Sequence, residues 1–203
     1  YLRHIPNLVV MAPKDENELQ HMLKTAVDHG GPISLRYPRG EGCDVALDER
    51  LHSLEIGKAE LLRDGTDLVI AAIGNTAMPA LRAAQDLAPL GINAAVVNAR
   101  FVKPLDENLF RDLLTKVPRL MTVEDHAISG GFGSALVEFM ADDGITGVEV
   151  KRLGVPDRFI PHGSQDELKK ICGFDKDAIA QAALQMMRRG KKKSREGWER
   201  GSA

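Results

Sequence analysis

Four short apolar runs constrain this chain more than any other feature. They lie at residues 68–73, 94–98, 119–123 and 148–153, and stretches of helical spacing near 76–88, 106–115 and 131–142 fall between them. Runs of about five or six residues suit buried strands, and they fall far short of the ~20 that a membrane helix needs. Strand and helix in alternation force a mostly parallel sheet, because each crossover returns the chain in the same direction with a helix against one face or the other. The expected fold is therefore α/β, a three-layer α/β/α unit with a mostly parallel sheet of about five strands. A last helical stripe over about 175–188, with Ile179, Ala182, Ala183 and Met186 on one side, adds to a helical layer. The fifth strand comes from Ala59-Glu-Leu-Leu, which Arg63-Asp-Gly-Thr separates from Leu68. Asp-Gly between two apolar runs signals a hairpin, so this strand is expected beside 68–73 as an antiparallel edge.

A different piece comes first. Val9-Val-Met is a short strand closed by Pro13. Residues 15–29 read as a helix with Leu19, Met22, Leu23, Ala26 and Val27 on its apolar stripe. Asp15 and Glu16 sit in its first turn, where carboxylates complement the helix dipole, and Gly30-Gly31 stops it. Residues 33–37 form the next strand. One βαβ unit cannot bury a core alone, so this piece is expected to belong to a larger sheet whose other strands precede Tyr1. Residues 40–56, with Gly40, Gly42 and a mixed polar stretch, read as a connection. The division expected is 1–45 for the end of one domain, 46–56 for a linker, 57–189 for an independent domain and 190–203 for a tail. The tail carries Lys191-Lys-Lys and reads as a flexible, solvated end rather than a nucleic-acid patch. Residues 1–40 are expected to expose an apolar edge.

A net charge of −2 and a pI near 6.3 give no support for a nucleic-acid partner. Cys43 and Cys172 form no CxxC pair and have no His/Cys cluster near them in sequence. That argues against a disulfide framework or a zinc site and for a reducing, cytoplasmic setting. No apolar run reaches membrane length, and no signal peptide is visible.

Six segments carry a resemblance. They are Tyr1-Leu-Arg-His-Ile-Pro-Asn-Leu-Val-Val-Met-Ala-Pro, Leu35-Arg-Tyr-Pro-Arg-Gly, Asn98-Ala-Arg-Phe-Val-Lys-Pro-Leu-Asp, Thr122-Val-Glu-Asp-His-Ala, Gly130-Gly-Phe-Gly-Ser and Leu153-Gly-Val-Pro-Asp-Arg-Phe-Ile-Pro-His-Gly-Ser. In this order and spacing the chain resembles the 1-deoxy-D-xylulose-5-phosphate synthases, transketolase-like thiamine-diphosphate enzymes, over nearly all of residues 1–189. The resemblance implies the end of a pyrimidine-binding domain followed by a transketolase C-terminal domain. It implies an enzyme, homodimeric when complete, that condenses pyruvate with D-glyceraldehyde 3-phosphate and releases carbon dioxide, using thiamine diphosphate and Mg2+. The product would feed isoprenoid, thiamine and pyridoxal synthesis. The family's magnesium-diphosphate motif and the glutamate that acts on the cofactor match no segment here, so the chain alone is expected to be inactive and to need the missing N-terminal part. Two other assignments stay open on the residues: a 2-oxo-acid dehydrogenase β subunit or another transketolase-like protein, and a non-catalytic interaction module.

Arg39 is the leading site residue. It follows a strand at the carboxyl end, where α/β sheets place ligands, and Pro38 and Gly40 flank it. A guanidinium grips a phosphate through two parallel hydrogen bonds. The resemblance implies that the second arginine of Arg36-Tyr-Pro-Arg39 binds the phosphate of the aldehyde. Arg36 is expected inside the strand, pairing structurally between domains or supporting the substrate. Gly130 to Ser134 reads as a tight strand-to-helix turn packed closely through its glycines, in preference to a phosphate loop, with Glu124 accepting from its backbone N–H groups. His126 and His162 read as packing or hydrogen-bonding residues, and neither cysteine has an activating neighbour.

Overall fold

The computed structural model describes residues 1–200, with side chains to residue 188; residues 201–203 and the side chains of 189–200 lie outside the description. The elements are β1 (Val9–Met11), α1 (Glu16–Asp28), β2 (Ile33–Leu35), β3 (Glu60–Arg63), β4 (Leu68–Ile73), α2 (Ala77–Leu87), β5 (Ala94–Asn98), β6 (Phe101–Lys103), α3 (Glu107–Leu114), β7 (Arg119–Ala127), α4 (Phe132–Asp142), β8 (Glu149–Val155), α5 (Gln165–Cys172) and α6 (Lys176–Arg200). The expectation of a flexible tail over 190–203 falls on side chains outside the description.

The main sheet has the order β3-β5-β4-β7-β8, with β4, β5, β7 and β8 parallel. Period-two alternation sends the residues of each inner strand to opposite layers. Leu68, Ile70, Ala72, Val96, Met121 and Val123 pack with Ala80, Ala84, Ile179, Ala183 and Met186, so α2 and α6 cover one face. Val69, Ala71, Val97 and Leu120 pack with Phe110, Leu114, Leu136 and Phe139, so α3 and α4 cover the other. This is the three-layer α/β/α arrangement.

The Asp-Gly signal misleads as to pairing. β3 is an antiparallel edge, but its partner is β5, with Glu60 opposite Asn98 and Leu61 opposite Val97. Residues 64–67 cross the start of β5 instead of folding back on β4. Thr66 and Asp67 both donate their backbone N–H to the Asn93 carbonyl, at 2.9 and 3.0 Å. A Cβ on Gly65 would overlap the Ala95 nitrogen and lie 2.6 Å from the Asn93 oxygen. The glycine serves a close crossing of backbones, which a hairpin signal does not distinguish from a tight turn.

The first piece forms a second sheet, β2-β1-β6. β1 and β2 are parallel, as expected of βαβ. β6, contributed from beyond residue 100, pairs antiparallel with β1 and closes that side. β2 is shorter than expected: Arg36 N–H donates to the Met11 carbonyl at 2.9 Å, and the ladder ends there because β1 runs into Pro13. Asp15 is the N-cap of α1, accepting from Glu18 N–H at 2.8 Å, rather than a first-turn residue.

The stripe expected for α1 is also turned. Glu18, His21, Met22 and Thr25 are buried, whereas Leu23 and Val27 are 51% and 82% exposed. The polar residues face inward because the 40–56 segment and β5 supply hydrogen-bond partners: Thr25 Oγ1 accepts from Leu54 N–H, and Glu18 accepts from Asn98. α5 was not anticipated, although Ser164-Gln-Asp-Glu167 is a capping box in the sequence and closes as one here.

Candidate functional site

β4 leads through α2 to β5 on one side, and the chain then returns through α3 to β7 on the other. The crevice between the carboxyl ends of β4 and β7 is therefore the topological switch point, where open α/β sheets take their ligands. Asn75, just past β4, donates to the Asp125 carboxylate of β7 at 3.1 Å across this crevice. The Arg36 guanidinium comes down from the end of β2 and donates to the Asp125 carbonyl. Arg36 thus reaches β7 from just after β2, not from inside the strand. The sheet fragment and the main sheet present their carboxyl ends to one another here.

Three residues on, Arg39 is exposed, and its guanidinium has no ion-pair partner among the described residues. Its carbonyl accepts a hydrogen bond from Gln165 Nε2 at the start of α5. Asp125 and Gln165 also line a cavity of about 200 Å3 with Val155, Leu168, Lys169 and Cys172. Neither arginine lines this cavity, which lies between the ends of β7 and β8 and α5, but each touches a residue that does: the Arg36 guanidinium reaches Asp125 and the Arg39 carbonyl reaches Gln165. Burial pushes the Cys172 thiol above its ordinary pKa, so it is no activated nucleophile. Gln165 and Asn75 were not singled out from the sequence, because nothing local marks either one.

The Gly130–Ser134 turn is packed. Glu124 is buried, and its two carboxylate oxygens accept from Phe132 N–H at 2.7 Å and Gly133 N–H at 2.9 Å. The helix N-terminus that an anion would need is thus filled by the protein's own carboxylate. Burial pushes the Glu124 pKa up against the opposite pull of those two amides. A Cβ on Gly131 would overlap Glu124 Oε2 and lie 2.6 Å from the Ala127 carbonyl, so the glycine serves close approach. His126 is exposed and reaches only the Ala127 carbonyl, at 3.4 Å, and His162 is exposed in the loop before α5. Neither pairs with a carboxylate among the described residues.

A buried charge network joins the two units. Glu18 accepts from Lys14 N–H at 2.7 Å, Asn98 Nδ2 at 2.9 Å and Arg100 Nε at 2.6 Å. Glu60 accepts from Lys14 Nζ and Arg100 Nη2, both at 3.0 Å. Asn98 and Arg100 belong to the Asn98-Ala-Arg-Phe segment, whose role here is to bind α1 to β5. A further trio, His21, Asp48 and His52, brings potential metal ligands within 4.8 Å of one another. Both ring nitrogens of His21 are already engaged, Nε2 with Asp48 at 2.8 Å and Nδ1 with His52 N–H at 3.3 Å, so the trio closes as a latch of the linker on α1.

The carboxylates that end β7, Glu124 and Asp125, are committed to the α4 N-terminus and to Asn75. No helix among the described residues is long and apolar enough to cross a membrane.

Comparison with known proteins gives consistent matches. Residues 57–179 match the transketolase C-terminal domain family, and residues 1–44 match the transketolase pyrimidine-binding domain family. The chain is 55% identical over 182 residues to 1-deoxy-D-xylulose-5-phosphate synthase 1 of Geobacter sulfurreducens, which is 90% of this chain and 29% of that protein. It is 51% identical over 187 residues to the 1-deoxy-D-xylulose-5-phosphate synthase of Halothermothrix orenii, 92% of this chain and again 29% of the relative. Among solved structures, a split-gene transketolase described as an inactive β4 tetramer superposes with a TM-score of 0.79 at 27% identity, over 92% of this chain and 60% of that one. A transketolase of Pichia stipitis shares the fold, with a TM-score of 0.65 at 22% identity, over 94% of this chain and 26% of that one. The chain therefore spans less than a third of the length of the curated relatives it matches.

Proposed function

Because this chain belongs to the transketolase family, we propose that it is the carboxy-terminal part of a 1-deoxy-D-xylulose-5-phosphate synthase-like enzyme, which condenses pyruvate with D-glyceraldehyde 3-phosphate and releases carbon dioxide. On this reading, residues 1–45 end the pyrimidine-binding domain, 46–56 link, and 57–189 form the C-terminal domain. Thiamine diphosphate, held with Mg2+ by the rest of the enzyme, supplies the carbanion-stabilising chemistry. This chain supplies the grip on the aldehyde's phosphate. The observation that carries the proposal is Arg39: an exposed residue whose guanidinium has no ion-pair partner among the described residues and whose carbonyl is held by Gln165, a residue that lines the cavity beside the end of β7. Arg36 supports it by fixing the end of β2 to Asp125. The complete enzyme works as a homodimer in the cytoplasm, a setting that suits two cysteines left unpaired.

The chain alone carries no turnover on this reading, and the neighbour described as an inactive β4 tetramer is consistent with that. The test compares the 203-residue chain alone with the chain joined to the preceding portion of the enzyme, assaying deoxyxylulose phosphate from pyruvate and the aldehyde. Product only from the joined enzyme is expected. Turnover by the chain alone, or none from the joined and folded enzyme, would overturn the proposal.

A further inference from the structure

The Arg39 segment has little to hold it. β2 ends at Leu35, and its ladder ends with Arg36 N–H on the Met11 carbonyl. Tyr37 and Arg39 are exposed beyond that point, and the arginine's own side chain is unanchored among the described residues. A guanidinium on a loose segment would lose entropy at each binding event, and its grip would weaken accordingly. One contact reaches the Arg39 backbone directly, and it comes from the other end of the chain.

That contact is Gln165 Nε2 donating to the Arg39 carbonyl. Gln165 is the first residue of α5, and the turn that carries it is capped. The capping box before it closes with Ser164 N–H and Oγ on Glu167 Oε2 at 3.0 and 2.8 Å. The same helix packs Leu168 and Cys172 along the cavity wall. Gly40 makes room for the amide: a Cβ there would lie 3.0 Å from Gln165 Nε2. A capped turn, a donor at the arginine's carbonyl and a glycine beside it form one device.

We propose that Gln165 is a positioning residue, which holds the Arg39 backbone so that its guanidinium meets the aldehyde's phosphate. The proposal rests on the reading of Arg39 as the phosphate ligand. Gln165 touches no reacting atom on this account; it acts through Arg39 alone. Its removal therefore raises KM for the phosphorylated aldehyde and leaves KM for pyruvate and kcat near wild type.

The experiment is a double-mutant cycle in the full-length enzyme that carries this chain, with steady-state kinetics in both substrates. Gln165→Glu keeps the shape and removes the donor; Gln165→Ala removes both. Each is expected to lower kcat/KM for D-glyceraldehyde 3-phosphate roughly 10-fold, the scale of one hydrogen bond plus some loss of alignment. An unphosphorylated aldehyde should be indifferent. In an Arg39→Ala background neither substitution should have a further effect, because the two residues form one pathway. Additive losses, or equal losses for both aldehydes, would overturn the role of Gln165 while leaving Arg39 intact. If Arg39→Ala itself fails to discriminate the two aldehydes, the underlying reading falls instead. Thermal melts of the Gln165 variants check that the exposed first turn of α5 stays folded, and a kinetic loss that tracks a lowered melting temperature would also count against the role.

Discussion

Arg39 and Glu18 are both charged, and their surroundings give them opposite duties. Arg39 projects into solvent, so its energy is free to be spent on a ligand. In the complete enzyme Arg39→Ala should cost about 2–4 kcal/mol of binding to the phosphorylated aldehyde, or roughly 30- to 1,000-fold in kcat/KM, with pyruvate little affected. Arg39→Lys should recover only part, since an ammonium keeps the charge and loses the fork. Equal losses for phosphorylated and unphosphorylated aldehydes would make Arg39 structural. Glu18 is only 3% exposed and holds Asn98 and Arg100. Glu18→Ala should destabilise the chain by about 3–5 kcal/mol in urea, because it strands partners in a buried place; a loss under about 1 kcal/mol would show that the network is slack. Glu60 adds a pH dependence. Burial pushes its pKa up, but the hydrogen bond from Lys14 and the charges of Arg100 and Lys14 outweigh it and hold the carboxyl below its ordinary 4.5. A lowered carboxylate pKa means stability that is present above about 4.5 and lost as pH falls through the folded value. The stability gap between wild type and Glu60→Gln should therefore narrow below that pH, and a gap that widened in acid would refute the assignment.

At the scale of elements, the start of α4 shows how a strand caps a helix from outside it. Glu124 takes the place of an N-cap side chain, which Gly131 cannot supply. Two adjacent glycines separate conformational need from spatial need. Gly130 has φ +76° with nothing within 4 Å of a would-be Cβ, so Gly130→Ala should cost only left-handed strain, about 1–2 kcal/mol. Gly131 has ordinary backbone angles but no room, so Gly131→Ala must displace the Glu124 carboxylate and should cost more, about 2–4 kcal/mol. Denaturant midpoints of the two variants decide it, and the reverse order would mean that the cap yields easily.

Across the whole molecule, the two units share a strand and a charge network. Phe101 is fully buried against Val9, Met11 and Met22, so the main domain has part of its cover in residues 1–40. A chain cut to begin at residue 57 should melt lower than the full 203 residues, because it uncovers Phe101 and strands Asn98 and Arg100. An unchanged melting temperature would show an independent domain, as the sequence alone suggested. Leu23 and Val27 on α1 stay exposed in the chain even with both units in place.

What the sequence determined by itself was local or periodic. Apolar runs of strand length, the 3.6 spacing of the helices and their alternation were enough for the parallel sheet and its two helical layers. The exit of a strand followed by Pro38, Arg39 and Gly40 put Arg39 where such sheets place ligands, but on those residues alone a surface ion pair was the better reading, and the phosphate role came from the family resemblance. Tertiary structure decided what depends on distant partners. β6 is three residues long and carries no signal of pairing with β1, some ninety residues earlier. The inward face of α1 followed its hydrogen-bond partners rather than its apolar stripe. The Asp64-Gly65 pair crossed β5 instead of making a hairpin. Gln165 met the Arg39 carbonyl across 126 positions of sequence. In each case the deciding energy is a contact between residues far apart in the chain, and such contacts leave no mark on local spacing or propensity.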